Sequence, residues 1–215
     1  MFKNRTDAGI QLAKKLEAYR NRDCIILAIP RGGVPVAYAV ANQLNFPVEV
    51  VITKKIGHPD NKEYAIGAAS LSEYFINPGI PVNEAYLTQT LENIRENIKA
   101  MHQKFVGNAL PIDLAGKTAI IIDDGIATGS TMTATIQLIR KRKPLNIIIG
   151  VPVISGKAFR KLSTEADGLV AVLIPEEFGS VGVFYEDFTQ VSDQEVLSYL
   201  YQLKNKQEKS SLNAI

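Results

Sequence analysis

Apolar and polar positions along this chain follow two periods that take turns. Ala8, Leu12, Leu16 and Tyr19 recur at helical spacing after Thr6-Asp7, a pair that reads as an N-cap. Cys24 to Ile29 is a short run with no polar face, the mark of a buried strand. Pro30-Arg31-Gly32-Gly33 breaks the run, and the pattern then predicts a helix over 34–43 and a second buried strand over 48–53. Lys54 to Tyr64 is polar and turn-rich, with Gly57, Pro59, Asp60 and Asn61. Ala65 to Ala69 and Tyr74 to Ile76 lie close enough, across Leu71-Ser72-Glu73, to pair as a hairpin. Leu87, Leu91, Ile94, Ile98 and Met101 step by four and three, which lays one apolar stripe along a long helix.

The alternation continues to the end of the chain. A strand is predicted over 118–122, a helix over 130–141, strands over 145–151 and 169–174, and a helix over 157–165 between those two strands. Ser192-Asp193-Gln194-Glu195 has the form of a capping box and opens a last helix to about Leu203, beyond which the polar tail is expected to fray. Buried strands alternating with helices predict an α/β fold, a mainly parallel sheet covered on both faces. With no internal repeat and no long linker, residues 1–215 are expected to form a single domain.

Composition narrows the function classes. Lys and Arg number 24 against 22 Asp and Glu, and a net charge of +2 gives no general drive toward nucleic acid or membranes. No run of about 18 apolar residues exists, and the N-terminus lacks the apolar core of a signal peptide. With one cysteine, Cys24, no internal disulfide can form, and together these features predict a cytoplasmic protein. The two histidines, His58 and His102, are far apart, so any metal is expected to sit on oxygen ligands, as Mg²⁺ does.

The chemistry is concentrated in residues 119–131, Ala-Ile-Ile-Ile-Asp-Asp-Gly-Ile-Ala-Thr-Gly-Ser-Thr. Asp123 and Asp124 fall at the carboxyl end of a buried strand, where open parallel sheets bind ligands. Adjacent carboxylates repel unless a cation or several donors meet them, and ribose hydroxyls or Mg²⁺ would do so. Gly125 and Gly129 permit a tight loop, Thr128, Ser130 and Thr131 bring hydroxyls, and the following helix turns its free N–H groups toward the loop. That combination suits a 5-phosphate. The bland alternative is a strand-to-helix turn with ordinary caps. The segment is neither a Walker A loop nor a dinucleotide Gly-x-Gly-x-x-Gly.

This string resembles the phosphoribosyl pyrophosphate (PRPP) signature of the type I phosphoribosyltransferases. The resemblance implies a Rossmann-like parallel sheet with a small hood built from the N-terminal, 70–110 and 176–205 segments, over a core of about 20–175. It implies that Asp123 and Asp124 hold the ribose hydroxyls, directly or through Mg²⁺. The loop of Gly125, Ala127, Thr128, Gly129, Ser130 and Thr131 would then bind the 5-phosphate. Ala127 stands where the 6-oxopurine branch has a third Asp, which argues against a hypoxanthine/guanine enzyme.

The same resemblance gives roles to other segments. Arg31, Gly32 and Gly33 would form the pyrophosphate loop, with a cis peptide expected at Pro30–Arg31. Lys54 to Tyr64 would be a lid; Lys54, Lys55 and Lys62 bring positive charge, and Glu63 is the unusual residue there. The aromatic segment 178–188 offers Phe184 or Tyr185 as a stacking face for the acceptor, with hood core as the equal alternative. The stripe on 87–101 is read as packing within the hood in preference to a dimer contact, although homodimers are frequent among similar enzymes. Together with Asn4-Arg5-Thr6-Asp7-Ala8-Gly9 and Pro30 to Pro35, these segments look like a group of predicted bacterial phosphoribosyltransferases of undefined acceptor.

The expected activity is Mg²⁺-dependent transfer of 5-phosphoribose from PRPP to a small nitrogenous acceptor, a nucleobase, releasing pyrophosphate. Arg31, Lys54, Lys55, Glu63 and Asp124 are the expected catalytic residues. The competing expectation is a non-catalytic PRPP or nucleotide sensor on the same fold. A phosphatase using Asp123 as nucleophile is the remoter reading, since Asp123-Asp124 lacks Asp-x-Asp spacing.

Overall fold

The computed structural model describes residues 1–62 and 64–212. Five parallel strands form the central sheet: β1 (Cys24–Ala28), β2 (Val48–Val50), β6 (Thr118–Ile122), β7 (Asn146–Val153) and β8 (Gly168–Leu173). Their order across the sheet is β2-β1-β6-β7-β8. Consecutive residues of β1 and β6 enter opposite layers of core, as the two-residue strand period requires. Ile26, Ala28, Ile120 and Ile122 pack with α1 (Arg5–Lys15), α2 (Gly33–Leu44) and residues of α3 (Glu84–Phe105) and α6 (Asp193–Leu212). Ile25, Leu27, Ala119 and Ile121 pack with α4 (Ser130–Arg140) and α5 (Gly156–Leu162). Having no polar face, these strands read as continuous apolar runs.

A second, antiparallel sheet runs β3 (Lys54–Gly57), β4 (Ala65–Ala69) and β5 (Tyr74–Ile76). The expected hairpin is β4–β5, in the register Ala69 to Tyr74. This sheet packs Ala68 and Phe75 on Ala134 and Leu138 of α4, and Ile56 and Ile66 on Leu91 of α3.

Four sequence expectations need correction. Asn4 caps α1 instead of the Thr6-Asp7 pair: its side chain accepts from the Asp7 N–H at 3.0 Å, and the helix already ends at Lys15. The strand expected over 48–53 keeps only Val48–Val50; it is an edge strand, and the chain beyond it turns toward the second sheet. Lys54–Gly57, read as loop, is a strand because Ile56 is buried under α3. The capping box is present, with Ser192 and Glu195 bonded reciprocally, but α6 continues past Leu203 to Leu212.

Candidate functional site

The strand order places a crevice between β1 and β6. From β1 the chain crosses through α2 to β2 on one side, and from β6 it crosses through α4 to β7 on the other. Ligands bind at such a switch point, outside the carboxyl ends of the strands. The register pairs Ala28 with Ile122, so the loops leaving the two strands start side by side.

Two glycines let those loops touch. A Cβ on Gly32 would lie 2.0 Å from Asp124 Oδ2, and one on Gly33 would lie 2.6 Å from the Ile122 carbonyl oxygen. The Pro30–Arg31 peptide is cis. Arg31 carries its guanidinium outward, where Nε pairs with Asp193 Oδ1 at 2.9 Å, and Asp193 also accepts from Lys104.

Asp123 and Asp124 follow β6 directly. The Asp124 N–H donates to Asp123 Oδ1 at 2.9 Å. Burial first, and then the neighbouring Asp124 carboxylate, push the Asp123 carboxyl well above the usual range. Asp124 Oδ2 accepts from Arg5 Nε at 2.8 Å, and its carbonyl accepts from the Tyr185 hydroxyl at 2.5 Å.

The next loop is held from beneath. Ile126 bridges to Ile154, and the Ser155 hydroxyl donates to the Ala127 carbonyl at 2.6 Å. Gly129, at φ 76°, makes the left-handed turn into α4. Among the described residues, the N–H groups of Ala127, Thr128 and Gly129 find no acceptor. Free N–H groups around a helix N-terminus form an anion cradle. Beside Asp124 and the Pro30–Gly32 turn lies a cavity of about 370 Å³, lined in part by Arg5, Arg31, Gly32, Lys54, Asp124 and Phe188.

Comparison with known proteins bears on this geometry. A family model described as phosphoribosyl transferase domain matches residues 3–167. The chain belongs to that family. Two Mycobacterium tuberculosis sequences, from different strains and each named "Putative phosphoribosyl transferase", are 33% identical to it over 205 residues, 93% of this chain. The chain spans about half, 46%, of the length of these relatives. The crystal structure of TT1426 from Thermus thermophilus superposes with a TM-score of 0.86 at 30% identity, covering 94% of this chain and 99% of that one. The AQ2163 protein of Aquifex aeolicus shares the fold at 14% identity, with a TM-score of 0.51 over 92% of this chain and 85% of its own. The architecture is the type I phosphoribosyltransferase fold.

Against this phosphoribosyl transferase frame, the sequence expectations divide. Arg31, Gly32, Gly33, Asp123, Asp124 and the 125–131 loop meet at one end of the sheet. Lys54 lines the cavity with Arg31, Gly32 and Asp124. Lys55 does not: neighbours in a strand face opposite ways, and Lys55 lines a separate cavity with Lys62, Tyr86 and Asn97. Glu63 lies outside the described residues. The acceptor-stacking role of Tyr185 is corrected. Tyr185 is 5% exposed and its ring packs against Phe2 and Phe188, so no face is open to a base. Burial and then the Asp124 carboxylate push its phenol far up, so it remains a hydrogen-bond donor. Phe184 packs beside Phe178 and Phe2 in the same cluster and does not line the cavity.

Two residues at the site were not singled out from the sequence, Arg5 and Phe188. The Arg5 guanidinium lies 3.9 Å over the Phe188 ring and also donates to the Thr189 carbonyl at 2.8 Å. Arg5 stood inside the Asn4 to Gly9 string, but nothing local marks a helix-start Arg as facing residue 124.

The residues present suit Mg²⁺ of the kind shared with a substrate. No group of three or more His, Cys, Asp or Glu side chains gathers as a cage among the described residues. Mg²⁺ typically uses one or two carboxylates and takes its other ligands from substrate oxygens and water. Asp123 is a part-buried carboxylate with no cationic side chain hydrogen-bonded to it, which fits that pattern.

Proposed function

We propose that this chain transfers 5-phosphoribose from PRPP to a nitrogenous acceptor, with a nucleobase as the expected class, and releases pyrophosphate. The observation that carries the reading is the meeting of three features, carried on the two loops that leave β1 and β6: a Gly-Gly loop with Arg31, the Asp123-Asp124 pair, and an N–H cradle. Each suits one part of PRPP. The cradle takes the 5-phosphate. The carboxylates accept from ribose hydroxyls. The Gly32-Gly33 loop, Arg31 and Lys54 receive the pyrophosphate. Mg²⁺ held by Asp123 and substrate oxygens would neutralise the leaving pyrophosphate. As the bond to pyrophosphate loosens, the ribose gains positive charge, which the fixed carboxylates stabilise. Alignment of acceptor and ribose supplies much of the rest. No protein nucleophile is required.

A PRPP sensor without turnover is the second reading. What favours it is that two site charges are already paired within the chain, Asp124 with Arg5 and Arg31 with Asp193.

The test is pyrophosphate release from PRPP and Mg²⁺ with a panel of bases. Release with at least one base is expected. PRPP binding without release on any base would transfer the case to the sensor, and absence of PRPP binding would sink both readings. D123N and D124N are each expected to weaken Mg-PRPP binding at least tenfold, read by calorimetry.

A further inference from the structure

Arg5 is the charge at this site that the transfer reading leaves unused. It is the first residue of α1, where the positive end of the helix dipole disfavours a cation. Local propensity therefore argues against arginine here, and the compensation lies across the crevice. Three contacts fix the side chain: Nε to Asp124 Oδ2 at 2.8 Å, Nη1 to the Thr189 carbonyl at 2.8 Å, and the guanidinium face on Phe188 at 3.9 Å. The Arg5 side chain is 11% exposed and that of Asp124 is 16% exposed, so water screens the pair weakly. Tyr185 holds the Asp124 main chain from another side. Asp124 is thus fixed at both its backbone and its carboxylate.

The consequence concerns how the two carboxylates divide their work. Asp124 already has a cation on Oδ2, while no cationic side chain pairs with its Oδ1 among the described residues. A divalent ion brought onto Asp124 would also come close to the guanidinium, and like charges at such range repel. We propose that Arg5 is a positioning residue that stands in for a metal ion at Asp124. Asp124 then presents an oriented oxygen to the ribose hydroxyls, and the divalent cation is confined to Asp123 and substrate oxygens. This rests on the PRPP reading for its ribose half, while its charge half stands without it.

The experiment separates the halves. Mn²⁺, a probe for oxygen-ligand sites, is titrated into the substrate-free protein and followed by electron paramagnetic resonance. R5Q removes the positive charge beside the carboxylate pair and is expected to bind Mn²⁺ about tenfold tighter than wild type. R5K keeps the charge and should stay near wild type. R5M, which retains the apolar stem over Phe188, replaces R5Q if circular dichroism shows R5Q unfolded. Mg-PRPP is then titrated by calorimetry. R5Q should weaken it about tenfold in the wild-type background and by less than twofold in a D124N background, because Arg5 acts through Asp124. Unchanged Mn²⁺ affinity in folded R5Q or R5M overturns the proposal. An equal PRPP loss in both backgrounds overturns it too, since that would mark a general structural effect. If the wild type binds no Mg-PRPP, the transferase reading falls, and the Mn²⁺ arm still decides whether Arg5 acts as the counter-charge.

Discussion

Gly32 ties the two halves of the site together at the scale of one atom. A methyl group there would meet Asp124 Oδ2 at 2.0 Å, so the carboxylate must swing away and leave Arg5. At Gly33 the atom met is the Ile122 carbonyl oxygen at 2.6 Å, and backbone cannot swing. G32A is therefore expected to cost about 1–3 kcal/mol of stability and more than tenfold in Mg-PRPP affinity. G33A should be the more destabilising of the two. Thermal melts and calorimetry on both variants check this ranking. The glycines were legible in the sequence as a loop, but the reason for them was not. Residues 32 and 124 lie on different strands' loops, and a contact of that range leaves no local trace. Tyr185 makes the same point: its aromatic character was visible, yet its hydroxyl's partner, the Asp124 carbonyl, was not. Y185F leaves that carbonyl short of a donor and should cost about 1–2 kcal/mol in denaturant melts.

At the level of elements, β3 is the instructive case. Its last residue, Gly57, and the Pro59, Asp60 and Asn61 that follow gave the stretch a loop's composition, while the strand itself is only four residues long. What makes it a strand is Ile56, buried against Ile66 and Leu91, a tertiary effect that overrides composition. Once the strand exists, the equivalence of Lys54 and Lys55 ends. K54Q should weaken Mg-PRPP binding by a larger factor than K55Q, and parallel calorimetric titrations decide it. The start of α6 carries a second element-level link. Asp193 joins Arg31, after β1, to Lys104 in the last turn of α3. The Lys104 hydrogen bond, with help from Arg31, holds the Asp193 carboxyl below its ordinary value of 3.8. A carboxyl lowered in the folded state contributes stability above its unfolded value and loses it as pH falls through the lowered one. A carboxyl-detected NMR titration should therefore place the Asp193 midpoint below 3.8, and K104Q should move it upward.

Across the whole molecule, the parallel sheet was legible because its central strands, β1, β6 and β7, are buried on both faces and stand out as apolar runs. The flanking parts were less so. Short strands, half-polar helices and one edge strand take their burial from partners far along the chain. Their packing bears on whether they unfold separately. Helix α3 gives Leu91 to the small-sheet cluster, but Ile98 and Phe105 to the main core, where they join Ile26, Ile120 and Val196. Ile98 is 1% exposed. If the flank over the site were an independent unit, I98A would split unfolding into two steps and leave the sheet's own transition where it was. A core shared between flank and sheet requires the opposite. I98A should lower global stability by about 2–5 kcal/mol, with one transition seen alike by far-ultraviolet circular dichroism and tyrosine fluorescence. A single transition would mean that Arg31, Asp124 and the elements that hold them fold together as one cooperative unit.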